Sequence, residues 1–272
     1  MIHFSAILSM SVFYILMKIT FLGTGAAEGI PCFGCECPCC QAAREKNDRN
    51  SRRRSCFLIQ NDTQAILVDT PPDISRQLDA SRIHELSAIL LSHEHYDHAG
   101  GLTEFEYWVD AVIHVFAGFE VLSNLRLPPR FREKALLSPF FSHSPLYFGA
   151  IQITPFKVLH TADTYGFSIY NAENKKKVVY FSDSNRHLGY YHRYLLKNAD
   201  ILILHTPRFA SKGEGDDHLS VEDVVELARI HEMKRVILTH INHRNRLYAE
   251  LVEYLQPYPN IIVGYDRMVL EV

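Results

Sequence analysis

A chain of 272 residues, 47% of them apolar, can bury one large core, and its composition fits neither disorder nor a collagen-like repeat. Its 28 basic and 31 acidic residues give a formal charge of -3, too balanced for a general nucleic-acid-binding surface. Composition therefore favours a small substrate. The first sixteen residues lack the basic flank and small-residue cleavage site of a secretion signal, and they are shorter than the ~20 apolar residues that span a bilayer. Residues 1–16 read as an upstream-start extension. Residues 17–272, opening on Met17-Lys18-Ile19-Thr20, read as one domain with no membrane contact.

The first apolar run, Ile19–Leu22, reads as a strand. Five of the six cysteines follow within nine residues, at Cys32, Cys35, Cys37, Cys39 and Cys40. Crowded thiolates converge on one tetrahedral ion more readily than they pair with distant segments, which points to a metal and a reducing, cytoplasmic compartment. Further runs rich in β-branched residues read as strands: Ala65–Val68, Ala88–Leu91, Ala111–Phe116, Ile151–Val158, Val178–Phe181, Ile201–Leu204, Val236–Leu238 and Ile261–Val263. Between Leu125 and Pro145, four prolines predict an irregular insertion, either a lid or a surface connection. Lys175–Lys177 reads as a solvated hairpin tip. Helical patterns span Val221–His231, with Ser220 as N-cap, and Leu247–Leu255, which stops before Pro257. Strands alternating with helices late in the chain predict a layered α/β architecture.

The densest chemistry follows the run Ala88–Leu91, where His93, His95, Asp97 and His98 fall within six residues. In an extended segment His93 and His95 point the same way and can share an ion, while the turn into a helix swings Asp97 and His98 towards a second. Further ligand types close other strands: His160 after Ile151–Leu159, Asp183 after Val178–Ser182 and His240 after Val236–Thr239. The assignment gives the first ion His93, His95 and His160, the second Asp97, His98 and His240, and a bridging carboxylate to Asp183. Two divalent ions lower the pKa of a bridging water and neutralise charge on a phosphoryl or acyl oxygen, so the pattern predicts hydrolysis. His218, at the mouth of the helix from Val221, is the candidate to protonate a leaving group, alongside Asp97 as a catalytic carboxylate. Arg208 is a candidate to hold a substrate phosphate, and the lid-like stretch Leu125–Pro145 and the loop His205–Phe209 are where substrate choice should reside.

With these residues in view, Met17–Val272 resembles the metallo-β-lactamase superfamily, and within it the PhnP-type cyclic phosphate phosphodiesterases. The likeness rests on Phe21–Gly25, Gly29–Pro31, Gly34–Cys37 with Cys40, Leu91–His98, Ser182–Asp183, His218–Ser220, Leu238–His243 and Gly264–Met268. It implies a four-layer αββα sandwich, two catalytic ions of manganese or zinc, His218 as general acid, and a homodimer. It also implies a structural zinc on Cys35, Cys37, Cys40 and His243, where the residues alone leave open a cage of Cys32, Cys35, Cys37 and Cys40. Since His240 and His243 share a loop, that zinc should pin the segment supplying the second ion. The expected activity is cleavage of a small cyclic or nucleotide-like phosphate ester. Alternatives are a tRNA 3′-processing endonuclease, which the absence of an evident basic arm counts against, and a PqqB-like non-hydrolytic accessory.

Overall fold

The computed structural model describes residues 17–46, 48–108, 112–212 and 217–272. The expected extension over 1–16 and the expected strand start at Ala111 lie outside these residues. One sheet holds β1 (Lys18–Gly23), β2 (Cys56–Gln60), β3 (Ala65–Val68), β4 (Ala88–Leu90), β5 (Ile113–Gly118) and β6 (Ala135–Phe140), with β14 (Val269–Glu271) beside β1. The other runs from β7 (Leu146–Phe148) through β8 (Ile151–Val158), β9 (Thr164–Asn171), β10 (Lys176–Phe181), β11 (Ile201–His205) and β12 (Val236–Thr239) to β13 (Ile261–Val263). Parallel pairing joins β3 to β6 and β10 to β13, which need apolar cover on both faces.

The period of two in each strand decides which layer a side chain enters. Val178, Tyr180, Ile201, Ile203 and Ile237 face the first sheet and join its core. Their neighbours Val179, Phe181, Leu202, Leu204, Val236 and Leu238 point the opposite way, onto α6 (Tyr190–Asn198), α7 (Val221–His231) and α8 (Tyr248–Tyr254). Over the first sheet lie α2 (Ile74–Ala80), α3 (Tyr96–Ala99), α4 (Phe119–Asn124) and α5 (Pro129–Lys134), which contribute Ile74, Leu78, Val121 and Phe131 to the core. Each fully buried aliphatic side chain contributes ~1.5–3 kcal/mol. The result is the expected αββα sandwich.

Helix α7 starts as its sequence predicts. Ser220 Oγ accepts the Asp223 N–H at 3.0 Å, and the Asp223 carboxylate accepts the Ser220 N–H at 2.9 Å, a reciprocal capping box. The stretch 125–145, expected as an irregular insertion or lid, is instead α5 and the edge strand β6, and none of it lines the cavity described below. Pro129 sits in the first helical turn, where a missing N–H costs nothing, and Pro139 sits on the sheet's outer edge.

This topology gathers the ends of many strands at one edge. Strands β1, β3, β4, β8, β10, β11 and β12 all run towards it, because each is parallel to its neighbour or separated by one antiparallel strand. Ligand sites in such sheets form outside the carboxyl ends of the strands.

Candidate metal centre

At that edge, the ends of β4, β8, β10, β11 and β12 bring together His93, His95, His160 and Asp183 in one group, and His98, Asp183, His205 and His240 in another. Within each group the ligand atoms lie inside 4.8 Å of one another. His93 Nε2 is 3.1 Å from His95 Nδ1, which is 3.3 Å from His160 Nε2. Asp97 Oδ2 stands 3.4 Å from His98 Nε2 and 3.8 Å from His240 Nε2. Asp183 lies between the groups: Oδ2 is 3.6 Å from His93 Nε2 and His160 Nε2, and Oδ1 is 3.5 Å from His240 Nε2. All seven side chains assigned as ligands from the sequence therefore meet, with Asp183 common to both sets.

Four of the imidazoles are held from behind at Nδ1. His93 bonds the Ser92 hydroxyl at 2.9 Å, His98 the Asp69 carboxylate at 2.7 Å, His160 the Asp217 carbonyl at 3.2 Å and His240 the Ser55 hydroxyl at 3.3 Å. Each turns Nε2 inward, as an oriented ligand requires. His98 Nε2 is fully buried, has no hydrogen-bond partner and faces the carboxylates of Asp97 and Asp183. An orphaned imidazole nitrogen among buried carboxylates fits a cation. Electrostatics agree: burial opposes a charge on His98, yet Asp97, Asp69 and Asp183 lift its pKa to about 10. Burial also opposes ionisation of Asp183, but His240, His205, His218 and His98 hold it well below the usual carboxylate range. Burial holds His93, His160 and His240 below the ordinary imidazole value.

The sequence reading missed the scaffold behind these ligands. Asp69, at the end of β3, accepts bonds from the Ser92 N–H (2.7 Å), the Ser92 hydroxyl (2.9 Å), His98 Nδ1 and the Tyr180 hydroxyl (3.2 Å). His205, expected in a substrate-selecting loop, is instead buried at the end of β11. Its Nδ1 lies 2.7 Å from Asp183 Oδ1 and its Nε2 lies 3.1 Å from the Tyr180 hydroxyl, so both nitrogens are engaged and it orients Asp183. A polar residue closing a strand at this edge is the signal that found Asp183 and His240, and it would also have found Asp69 and His205. Asp69 and His240 have φ of 65° and 58°, a left-handed backbone that β-strand ends hold only when the surroundings brace it. Around His240 that bracing includes Ile241, whose N–H donates to Thr24 at 2.9 Å and whose carbonyl accepts the Ala26 N–H at 3.1 Å.

His218 stands at the cavity wall, with Nε2 3.3 Å from Asp183 Oδ2 and Nδ1 3.0 Å from Asp217 Oδ1. Burial lowers its pKa, but these two carboxylates more than compensate and raise it to about 9. The cavity measures about 840 Å³, and Arg208, Lys212 and Arg244 are among the residues that line it. Arg208 also reaches Asp217 Oδ1 at 3.2 Å, so it shares a carboxylate with His218.

All six cysteines are free thiols. Helix α1 (Pro38–Lys46) folds their loop back so that Cys35, Cys37 and Cys40 meet His243, with Cys35 Sγ 3.2 Å and Cys37 Sγ 3.6 Å from His243 Nδ1. Three thiols and an imidazole suit zinc. Cys32 stands outside this group, its N–H donating to Cys40 Sγ at 3.2 Å, and Cys39 Sγ turns to the Asn245 carbonyl at 3.7 Å. Asn245 in turn donates to the carbonyls of Thr206 and Pro207. The cysteine loop is thus tied to both His240 and the start of the Arg208 wall. Cys37→Ser is expected to lower metal content at the Asp97–His98–His240 set as well as at its own, which metal analysis of the purified variant reads directly. Full occupancy of the second set with normal turnover would break the proposed coupling.

Among the described residues no helix is long and apolar enough to cross a membrane. A model of the β-lactamase superfamily domain matches residues 64–241. An octanoyltransferase of Porphyromonas gingivalis is 26% identical over 264 residues, 93% of this chain, but the chain spans only 51% of that protein's length. Among solved structures, a diphosphatase of the PhnP family has a TM-score of 0.80 at 23% identity, covering 94% of this chain and 98% of that one. Zn²⁺-bound PqqB from Methylobacterium extorquens has a TM-score of 0.77 at 19% identity, covering 94% and 100%. The family match spans the segment that carries Asp69, the histidine loop, Asp183 and His240, and on that ground the chain belongs to the metallo-β-lactamase superfamily.

Proposed function

We propose that the protein is a metal-dependent phosphodiesterase acting on a small cyclic or nucleotide-like phosphate ester. The observation that carries this reading is one cavity lined by Asp97, Asp183, His95, His160 and His240, by His218, and by the cations of Arg208, Lys212 and Arg244. The first ion would rest on His93, His95 and His160, the second on Asp97, His98 and His240, with Asp183 shared. Divalent ions there, manganese or zinc, would supply a nucleophile ionised near neutral pH and counter-charge for the phosphoryl oxygens. A third ion, zinc, would rest on Cys35, Cys37, Cys40 and His243.

The chain's own residues supply the rest. His218, with Nε2 3.3 Å from Asp183 Oδ2 at the cavity wall, is placed to donate a proton to the departing oxygen, while Asp217 fixes its ring at Nδ1. Arg208 presents a planar fork beside that pair, suited to a phosphate. The similarity to a PhnP-family diphosphatase supports phosphate ester chemistry. The similarity to PqqB supports a second reading, a non-hydrolytic accessory role.

Bis-p-nitrophenyl phosphate with manganese separates the two. Turnover is expected, and His218→Ala should lower kcat by ~10²–10³-fold while metal content stays the same. An inert protein with both ions bound favours the accessory role. Cleavage of precursor tRNA in preference to the small diester would instead favour a tRNA 3′-processing activity.

A further inference from the structure

Phe209 lines the metal cavity, and its ring is held by two partners that do not. The Arg246 guanidinium carbon lies 3.4 Å from the ring centroid, and the Tyr254 ring meets it edge-on at 4.7 Å and 73°. Arg246 and Tyr254 line a separate depression with Glu250 and Glu253. Phe209 thus lines the cavity while a cation and a second aromatic ring, neither of which lines it, hold its ring. Its main chain is fixed as well. The Phe209 carbonyl accepts the Glu222 N–H at 3.1 Å, the Arg208 carbonyl accepts the Val221 N–H at 3.0 Å, and Arg208 pairs with Ser220 as an isolated bridge. The segment carrying Phe209 thus runs beside the segment carrying His218, which ends at Ser220.

A ring immobilised by side chains outside the cavity, on a residue that lines it, is suited to stack with another flat ring. Pro207, Ala210 and Ala27 line the same cavity, together with the cations of Arg208, Lys212 and Arg244. At about 840 Å³ the cavity exceeds the needs of a bare sugar phosphate and falls within the range of sites that take nucleotide-sized ligands. Stacking on an aromatic side chain is strong and tolerant of sequence, because every base has a π-face.

We propose that Phe209 is the platform for an aromatic ring on the substrate, which makes the ligand class a nucleobase-bearing phosphate ester. This inference rests on the phosphodiesterase reading for its chemistry, but binding tests it without turnover. Calorimetry on the manganese-loaded protein would compare adenosine 5′-monophosphate with ribose 5-phosphate, which carries a hydroxyl in place of the base. The wild type is expected to bind the nucleotide about ten-fold more tightly. Phe209→Leu should bring the two affinities within about two-fold by weakening only the nucleotide, and Phe209→Tyr should keep the preference. A wild-type protein that binds both equally, or that binds neither, overturns the proposal, and this readout stands even if Phe209→Leu does not fold. Retention of the preference in a folded Phe209→Leu overturns it too. Failure of the hydrolase reading looks different: bis-p-nitrophenyl phosphate stays intact while the nucleotide preference persists.

Discussion

Asp183→Ala is expected to abolish turnover of bis-p-nitrophenyl phosphate by at least on the order of 10³-fold and to lower the metal content of the purified protein. The reason lies in how many groups this one carboxylate faces. Oδ2 stands within 3.7 Å of His93, His98, His160 and His218, and Oδ1 within 3.5 Å of His205 and His240. Among the described residues, Asp183 is the one side chain common to both groups of ligand atoms. Without it the sets lose their shared negative charge, and His218 loses the partner at Nε2 that helps hold its proton. Asp183→Asn, which keeps the shape and removes the charge, should fall by nearly as much. Metal content and kcat/KM, measured on the same preparation, check the two halves together. A variant with two bound ions and wild-type kcat/KM would show that Asp183 is a bystander.

The second large effect concerns stability rather than chemistry. Asp69→Ala removes the acceptor for four donors, the Ser92 N–H and hydroxyl, His98 Nδ1 and the Tyr180 hydroxyl, in a region where all of these residues are buried. Stranding buried donors and one partner of a buried ion pair costs ~3–5 kcal/mol. For a chain of this size that corresponds to a fall in Tm on the order of 10 °C, read by thermal or urea unfolding of the metal-free protein. Asp69→Asn should lose less, because its carbonyl can still accept from Ser92. His98 would also lose its orientation, and affinity for the second ion should drop by ~10–100-fold. A metal-free Asp69→Ala protein that melts within a degree of wild type would mean that the network contributes no stability.

Much of the site could be read from the chain because metal chemistry restricts residue type. Only a few side chains ligate divalent ions, and at His93, His95, Asp97 and His98 they crowd one loop, so their presence needs no partner to be recognised. The supporting residues had no such signature. Tyr180 and Asp69 are 111 positions apart and meet only because β10 and β3 lie in facing sheets. The same distinction applies to the fold. Ile151–Val158 and Ile261–Val263 carry their strand pattern locally and match the structure end to end. The run Thr164–Asn171 does not, because Gly166 interrupts it. A Cβ there would lie 2.4 Å from the Phe156 ring and 2.6 Å from the Tyr180 carbonyl, so glycine is required by packing between strands. Ala135–Phe140 was hidden by Pro139, whose missing N–H is harmless only at an edge, and edge position is a property of the assembled sheet. Among the cysteines, crowding alone implies an ion and only the family resemblance singles out Cys35, Cys37 and Cys40, whereas Cys39 takes its place through Asn245, 206 positions away.

Two neighbouring ions at the strand ends and a third at the cysteine loop are expected, and anomalous scattering from crystals of the manganese-loaded protein tests this directly. Two manganese peaks are expected about 3.5–4 Å apart with Asp183 between them. One peak should touch His93, His95 and His160, the other Asp97, His98 and His240, with a separate zinc peak among Cys35, Cys37, Cys40 and His243. A single peak among the histidines, or none, would contradict this arrangement.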